Sequence, residues 1–482
     1  MNYSVVIYIL GWIMEIEAAF LALPGIVSAI YGEKGGFAFL WVALGSAVAG
    51  SAIILRKPKN MRFYLREGFV TVALSWILMS VIGCLPFVIN GDIPHFADAL
   101  FEMISGFTTT GATVVSDVEG LTKGSLFWRS FSHWIGGMGV LVFLLAIVPM
   151  AGGSHMNLMK AESPGPSVGK LVPKVRQTAK YLYIIYFALT VIEVIFLLFG
   201  GMNLFEALTT AFGTAGTGGF AIWNDGFVSV SPYNQWVVTI FMLLFGVNFG
   251  FYFLILTGKL RDALKFEEVR IYFIIVIASA VFIFINLWHF ALYAPAEGIR
   301  HAFFQVASII TTTGFASANF DLWPETSRTI LVILMFIGAC AGSTGGGIKV
   351  SRFIIAFKSF IKEIISYLHP RSVKKIKIEG KPLEHETLRA TNVYFMTYMV
   401  IFAVSVLLVS IENKDLVTNF AAVAATFNNI GPGLSLVGPM ANFGHFTDFT
   451  KYILMFDMLA GRLEIFPMML LFCPAVWKRR RA

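Results

Sequence analysis

Charged side chains are scarce in this sequence. Asp, Glu, Lys and Arg make up 13% of the 482 residues, whereas apolar side chains make up 57%. A water-soluble chain of this length needs a larger polar fraction, because charged side chains must cover its exterior. Instead, apolar runs of about 20 residues, the length that crosses the hydrocarbon core of a bilayer, recur along the chain. Examples lie at 68–90, 181–199, 271–288 and 393–410. The composition therefore predicts an all-α polytopic membrane protein.

Cysteines and catalytic motifs are also few. Cys84, Cys340 and Cys473 stand alone in apolar surroundings without metal-ligand spacing, so neither a disulfide framework nor a zinc site is predicted. The eight histidines are scattered, and His133, beside Trp134, is expected at the membrane interface. The sequence contains no nucleophile–base arrangement and no cofactor motif. We therefore predict neither an enzyme nor a bound organic cofactor.

Most Lys and Arg residues fall into five clusters. By the positive-inside rule all five face the cytoplasm, which places both chain ends there. The net charge of +8 is then explained by topology, and no nucleic-acid partner is needed to account for it. The clusters are Arg56, Lys57, Lys59, Arg62 and Arg66; Lys160, Lys170, Lys174, Arg176 and Lys180; Lys259, Arg261, Lys265 and Arg270; the ten Lys and Arg residues from Lys349 to Arg389; and Lys478, Arg479, Arg480 and Arg481.

Between consecutive clusters, two long apolar runs enclose a shorter segment that ends in a stretch rich in Thr, Asn or Gly. Each short segment is too short to span a bilayer, which predicts a re-entrant half-helix. Non-helical backbone at membrane depth is tolerated only where it lines a water-filled path or is buried in protein. These segments cover residues 95–113, 203–220, 298–315 and 415–433.

One glycine recurs in all four segments. Gly111, Gly216, Gly314 and Gly431 stand four residues after Phe107, Phe212, Ile310 and Phe427. Glycine allows backbone angles that direct carbonyl oxygens into a lumen, and a ring of such oxygens replaces the hydration shell of a monovalent cation. Few acidic residues lie within the segments, which disfavours a divalent-cation pore. The alternative interpretation is helix packing through small residues.

The segments TTTGA, TAGTGGF, TTTGF and NNIGPG, each on one such unit, resemble the Trk/Ktr/HKT superfamily of potassium transporters over roughly residues 67–477. The resemblance implies four M1–pore-helix–M2 repeats in a pseudo-fourfold arrangement around one pore, with K⁺ as the transported ion. Glycine at all four filter positions is typical of the potassium-selective members. The potassium-binding residues implied are Thr109, Thr110, Gly111, Ala215, Gly216, Thr312, Thr313, Gly314, Asn429, Ile430 and Gly431.

Two further apolar runs, at 3–31 and 37–55, precede the first repeat, and this resembles the bacterial TrkH branch of the superfamily. That branch implies a homodimer in the bacterial inner membrane, on a cytosolic nucleotide-binding ring of the TrkA type that responds to NAD or ATP. The predicted divisions are 1–66, the two extra transmembrane helices and a basic loop; 67–155, repeat 1; 156–265, repeat 2; 266–387, repeat 3 with a long basic segment; and 388–482, repeat 4 and the basic C-terminus.

The segment from Ala341 to Gly347 breaks the second helix of repeat 3. It contains three consecutive glycines, each costing about 1 kcal/mol against alanine in a helix. The resemblance implies that Gly345, Gly346 and Gly347 belong to a loop that occludes the pore. Lys349 is a further gate candidate because its positive charge would also repel potassium. A phosphate-binding loop is rejected because Ile348 stands where its lysine is required. A simple helix kink stays open, as does a Lys349 side chain that snorkels to the cytoplasmic face.

Arg462 lies in the second helix of repeat 4, away from both ends. An intramembrane arginine is expensive and normally faces the bundle interior or an aqueous path. We interpret it as a second gate element below the filter, whose positive charge repels potassium. The alternative is an ion pair with Asp457 or Glu464.

Two transport mechanisms stay open. The first is a gated, channel-like potassium conductor driven by the membrane potential. The second is a symporter that couples potassium to protons or sodium, and such a carrier normally buries a titratable residue at a repeat interface near the midplane. Glu193 is the candidate for that residue.

Overall fold

The computed structural model describes residues 1–59, 64–147, 175–370 and 375–477, which are mostly α-helical. Helices dominate because a chain that spans a bilayer must satisfy its backbone polar groups within the segment itself. A two-stranded antiparallel hairpin, β1 (Lys377–Ile378) and β2 (Lys381–Pro382), pairs Lys377 with Pro382 and Ile378 with Lys381. The prediction of an all-α polytopic membrane protein is confirmed.

The first two helices, α1 (Tyr3–Ile30) and α2 (Gly36–Ile54), form an antiparallel pair. They approach closely because small residues face each other: a Cβ atom built on Gly50 would lie 2.9 Å from the Gly11 carbonyl oxygen, and one on Gly36 would overlap Ser28. Small residues at a helix interface allow this close packing in membranes. The pair packs against the first repeat, as the sequence predicted for two extra helices.

Four units follow, each with a long first helix, a short pore helix and a second helix. Their bounds are α3 (Leu65–Asn90), α4 (Phe96–Phe107) and α5 (Lys123–Ile147) in repeat 1; α6 (Val175–Phe199), α7 (Leu204–Gly216), α8 (Pro232–Phe245), α9 (Phe249–Leu256) and the short α10 (Leu260–Ala263) in repeat 2; α11 (Glu267–His289), α12 (Pro295–Ile310), α13 (Glu325–Ile337) and α14 (Val350–Leu368) in repeat 3; and α15 (His385–Val409), α16 (Leu416–Phe427), α17 (Asp448–Arg462), α18 (Ile465–Leu471) and α19 (Pro474–Trp477) in repeat 4. The predicted four-repeat architecture is confirmed.

Side-chain caps fix where two of the four pore helices begin. In α7 the Asn203 side chain accepts a hydrogen bond from the Glu206 amide, and the Glu206 side chain accepts one from the Asn203 amide. Asp415 accepts a hydrogen bond from the Thr418 amide at 2.9 Å at the start of α16. Caps of this kind satisfy the otherwise unpaired amides of a first turn. Pore helices α7 and α16 therefore begin at residues that their caps define.

Within the described residues, the second helices of three repeats are interrupted. In repeat 2 the axes of α8 and α9 meet at 88°. In repeat 3 residues 338–349 separate α13 from α14. In repeat 4 the break between α17 and α18 lies at Glu464, which has φ +66°. The sequence predicted the break in repeat 3 alone.

The first and the last described residues lie on one side of the molecule. The Tyr3 hydroxyl donates a hydrogen bond to the Trp477 carbonyl oxygen, and the buried side chains of Val6, Val70 and Val476 pack together. We call this side the basic side, because the loop between α2 and α3 carries a basic cluster there. Several predicted basic residues lie outside the described residues: Arg62, Lys160, Lys170, Lys174, Arg371, Lys374, Lys478, Arg479, Arg480 and Arg481. That the basic side is cytoplasmic stays a prediction of the positive-inside rule.

Candidate ion pathway

The same backbone turn follows all four pore helices. Shortly after each helix ends, one residue has a left-handed φ of 53° to 59°, and a glycine two residues later has a φ of 79° to 98°. A positive φ of this kind favours glycine, which has no Cβ atom to clash with the backbone. The first positions are Thr109, Thr217, Thr312 and Asn429, and the glycines are Gly111, Gly219, Gly314 and Gly431.

Each of the four glycines contacts the backbone of the next repeat, and the four contacts together form a closed ring. A Cβ atom built on each glycine would meet the carbonyl oxygen of the residue that precedes the equivalent glycine in the next repeat. No side chain larger than hydrogen fits at these positions without a shift of backbone. The pairs are Gly111 with Gly218, Gly219 with Thr313, Gly314 with Ile430, and Gly431 with Thr110. We call residues 108–111, 216–219, 311–314 and 428–431 the ring.

Four carbonyl oxygens of the ring, one in each repeat, have no hydrogen-bond donor among the described residues. The amides of Thr110, Gly218, Thr313 and Ile430 donate back into their own pore helices at 2.8 to 2.9 Å. Within the described residues, the carbonyl oxygens of these same four residues accept no hydrogen bond. All four pore helices also direct their C-terminal, partially negative ends toward the ring. Carbonyl oxygens without a donor and converging helix C-termini together favour a cation at this place.

The structure places most of the predicted filter residues in the ring. Thr109, Thr110, Gly111, Thr312, Thr313, Gly314, Asn429, Ile430 and Gly431 occupy equivalent positions in repeats 1, 3 and 4.

In repeat 2 the predicted offset is wrong. Ala215 and Gly216 form the last turn of α7, and Gly219, three residues further on, is the equivalent of Gly111. The offset fails because α7 continues past Phe212, which is therefore not the counterpart of Phe107. One signal could have found the correct glycine: Gly219 precedes Phe220 as Gly314 precedes Phe315.

A buried ion pair lies next to the ring and connects the segments around it. Arg129 of α5 lies 2.7 Å from Glu102 of α4, and their side chains are 2% and 0% exposed. Glu102 also accepts hydrogen bonds from the Thr113 hydroxyl at 2.9 Å and the Val114 amide at 3.0 Å. The Arg129 guanidinium lies 4.1 Å from the centroid of the Phe220 ring. The pair therefore joins pore helix 1 to the segments that follow the ring in repeats 1 and 2.

His133 has a similar structural role. Its Nδ1 donates to the Gly106 carbonyl oxygen at 2.8 Å, and its Nε2 accepts from the Phe220 amide at 3.2 Å. The side chain is fully buried. The expectation of an interfacial histidine was wrong, because the His133 imidazole bridges two repeats and does not face lipid headgroups.

We expect Arg129→Met to destabilise the protein by about 3–5 kcal/mol, because it leaves the Glu102 carboxylate buried without its partner. Arg328→Gln, which breaks a partly exposed pair with Asp321, should change stability by less than about 1 kcal/mol. Thermal unfolding in one detergent measures both. Equal changes in stability in the two variants would show that the buried pair contributes no more than the partly exposed one. Glu102→Gln combined with Arg129→Met should recover part of the stability lost in Arg129→Met alone.

Residues 338–349, which we call the intramembrane loop, lie directly against the ring on its basic side. The Gly346 amide donates to the Thr312 hydroxyl at 2.6 Å, and the Thr217 hydroxyl donates to the Thr344 carbonyl oxygen at 2.9 Å. A Cβ atom on Gly345 would lie 2.9 Å from the Thr311 carbonyl oxygen. The loop therefore contacts the ring segments of repeats 2 and 3.

Lys349 is enclosed by this loop. Its side chain is 2% exposed, and its Nζ donates a hydrogen bond to the Gly345 carbonyl oxygen. The alternative of a lysine that snorkels to the cytoplasmic face is therefore wrong. The Nζ atom instead bonds to the three-glycine segment. Residues 338–349 are not helical, which excludes a simple helix kink.

Arg462 joins three repeats. Its Nη1 donates to the Thr344 carbonyl oxygen of the loop and its Nη2 to the Gly136 carbonyl oxygen of α5, both at 2.7 Å. Within the described residues it forms no ion pair, since Asp457 accepts a hydrogen bond from Ser405 and Glu464 pairs with Arg352. The predicted alternative of an ion pair was wrong.

The chain resembles characterised proteins over nearly its whole length. A family model described as TrkH, a cation transport protein, matches residues 37–479. The chain is 36% identical to the Trk system potassium uptake protein TrkH of Escherichia coli strain K12, covering 99% of this chain and 100% of that protein. It is 34% identical to TrkH of Halomonas elongata, with the same coverage. The crystal structure of the potassium transporter TrkH from Vibrio parahaemolyticus matches with a TM-score of 0.89 and 32% identity, over 99% of this chain and 100% of that one.

These relatives are potassium uptake proteins and not enzymes, in agreement with the sequence prediction. On the family model and the full-length identities, the chain belongs to the TrkH family of cation transport proteins.

Proposed function

We propose that this protein takes up potassium across a bacterial inner membrane through the ring, which acts as a selectivity filter of backbone carbonyl oxygens. The observation that carries the proposal is the closed contact of four left-handed glycines, Gly111, Gly219, Gly314 and Gly431, beside carbonyl oxygens that no protein donor in the described residues engages. Such oxygens substitute for the water shell of a monovalent cation. The names of the relatives identify that cation as potassium.

The charges near the ring support a monovalent cation. None of the sixteen ring residues is acidic. The nearby carboxylate of Glu102 is neutralised by Arg129. A site for a divalent cation more often presents a ring of Asp or Glu side chains. The ring therefore presents carbonyl dipoles to an ion and carries no formal negative charge.

We propose that the intramembrane loop and Arg462 together form the gate. The loop contacts the ring at Thr217 and Thr312, and Arg462 fixes the loop to α5 through two carbonyl oxygens. A conducting state requires these contacts to break, because the loop occupies the inner end of the path. Lys349 adds a second basic side chain to the same obstruction.

The regulation we propose comes from the basic side. There α14 continues from the loop, so a displacement of α14 moves the loop directly. The partner that fits the resemblance is a cytosolic nucleotide-binding ring of the TrkA type, responsive to NAD or ATP, bound to a homodimer whose chain termini face the cytoplasm.

A coupled symporter is the second candidate. Glu193 favours it, since this carboxyl group is fully buried in α6. It lies near Thr214 of pore helix 2 and outside the ring, so a coupling role would require a path that the ring does not provide.

The reversal potential of the reconstituted protein separates the two candidates. For a channel, we expect a shift of about 60 mV per tenfold potassium gradient and no shift with a pH or sodium gradient at fixed potassium. A Glu193→Gln variant should keep this behaviour. A reversal potential that follows pH in the wild type and not in the variant would establish the symporter instead, and the absence of potassium flux would overturn both.

A further inference from the structure

Glu268, in the first turn of α11, contacts both ends of the intramembrane loop. Its Oε1 atom accepts a hydrogen bond from the Ala341 amide at 2.7 Å and another from the Ser351 amide at 3.0 Å. The residue is 7% exposed. We propose that Glu268 is a positioning residue that holds the intramembrane loop in its pore-blocking conformation. This inference rests on the gate in the proposed function.

The two hydrogen bonds close the base of the loop. Between them, the Val350 amide donates to the Ala339 carbonyl oxygen at 3.1 Å, which brings the two ends of the loop together. A carboxylate is a stronger acceptor for backbone amides than a neutral group. Because one oxygen accepts from both amides, loss of the Glu268 side chain removes both hydrogen bonds at once and leaves the Val350–Ala339 bond alone to close the base of the loop.

The backbone at Lys349 shows what the closed base imposes. Lys349 has φ +84° and ψ +136°, a conformation that residues with a side chain rarely adopt. It lies two residues before Ser351, so the hydrogen bond from Ser351 to Glu268 helps to fix this turn. Without that bond, Lys349 can relax to a negative φ. The relaxation would move Gly345 and Gly346 away from the ring.

The neighbouring Glu267 provides a matched control. Its carboxylate lies 2.6 Å from Lys358 of α14, and both side chains are partly exposed. It therefore contacts the helix after the loop but not the loop itself. Glu267→Gln removes the same charge, one residue away, without changing either end of the loop.

The buried thiol of Cys340 reports on the loop independently of transport. Cys340 lies in the loop and is fully buried, Cys84 is buried in α3, and Cys473 is exposed. In a full-length background with Cys84→Ala and Cys473→Ser, a methanethiosulfonate reagent can modify Cys340 alone. The rate of that modification measures how often the loop leaves its closed position.

The experiment compares Glu268→Ala, Glu268→Gln, Glu267→Gln and a variant that lacks residues 345–347, all reconstituted without a regulatory partner. We expect Glu268→Ala to raise both the Cys340 modification rate and the potassium flux by about tenfold or more, since it removes two hydrogen bonds to a charged group. Glu268→Gln should show a smaller increase, because its amide oxygen still accepts both bonds. Glu267→Gln should match the background. Potassium-over-sodium selectivity should not change in these substitution variants, because the ring is intact.

The outcomes distinguish this inference from the gate itself. A flux that rises on deletion of 345–347, with an unchanged Cys340 rate in Glu268→Ala, would overturn the positioning role and leave the gate in place. A flux that is unchanged on deletion would overturn the gate, while the Cys340 rate would still test the position of the loop. If Glu268→Ala does not fold, Glu268→Met, which keeps the length of the side chain without the acceptor oxygen, replaces it, and an unchanged Cys340 rate in that variant would overturn the proposal.

Discussion

Gly219→Ser is expected to lower potassium-over-sodium selectivity by about tenfold or more, equivalent to about 1.4 kcal/mol. The serine Cβ atom would overlap the Thr313 carbonyl oxygen of the next repeat, at a residue whose φ is +79°. The backbone must shift, and the oxygens of two repeats then lose the common distance from the ion that selectivity requires. Gly111→Ser should have the same effect, through the Gly218 carbonyl oxygen.

Gly201→Ser is the matched control for Gly219→Ser. Gly201 lies in the same repeat with φ +87°, but no atom lies within 4 Å of a Cβ atom built there. It reproduces the backbone strain of the substitution without the contact to the ring. Reversal potentials with potassium on one side and sodium on the other measure selectivity in each variant. If Gly219→Ser kept the wild-type selectivity, this glycine would not belong to the filter.

Arg462→Gln is expected to raise potassium flux without a regulatory partner by a factor of about 30 or more. A unit charge within about 4 to 8 Å of an ion costs roughly 2 to 4 kcal/mol at an effective dielectric constant of about 20. The substitution removes this repulsion and also weakens the hydrogen bonds to Thr344 and Gly136. Ion flux into vesicles under a fixed membrane potential measures the change.

Arg462→Lys separates the charge from the hydrogen bonds. Lysine keeps the charge but has no planar fork with which to reach two carbonyl oxygens in different repeats. If repulsion dominates, Arg462→Lys stays close to wild type; if the hydrogen bonds dominate, it conducts nearly as well as Arg462→Gln. Wild-type flux in both variants would show that Arg462 is not part of the gate.

The repeated architecture was predictable from sequence because it depends on local and periodic signals. Apolar length, Gly/Thr-rich ends and charge clusters each report on one segment at a time. The position of the filter glycine in repeat 2 was not found, because Phe212 is not the last residue of its pore helix, as Phe107, Ile310 and Phe427 are of theirs. The pair Gly219–Phe220 carried the correct signal, since its counterpart is Gly314–Phe315.

The parts of the site that sequence analysis missed depend on contacts between distant segments. Glu268 is separated from Ala341 and Ser351 by more than 70 residues, and no local pattern marks a carboxylate that accepts two backbone amides. Likewise, Arg462 has acidic neighbours along the chain, yet its partners are carbonyl oxygens of other repeats. The helix break at Glu464 contains no glycine, so composition gave no warning of it.

The ring has one further consequence, which concerns how such a pore can evolve. Since its four quarters belong to a single polypeptide, a substitution in one quarter is not copied into the others. Arg462, for example, belongs to repeat 4 and contacts the intramembrane loop of repeat 3. In a pore assembled from four identical subunits, the same codon change would bring four guanidinium groups to the axis, and their mutual repulsion would oppose closure of the path. Gene duplication followed by fusion allows a single charge to be placed off the axis.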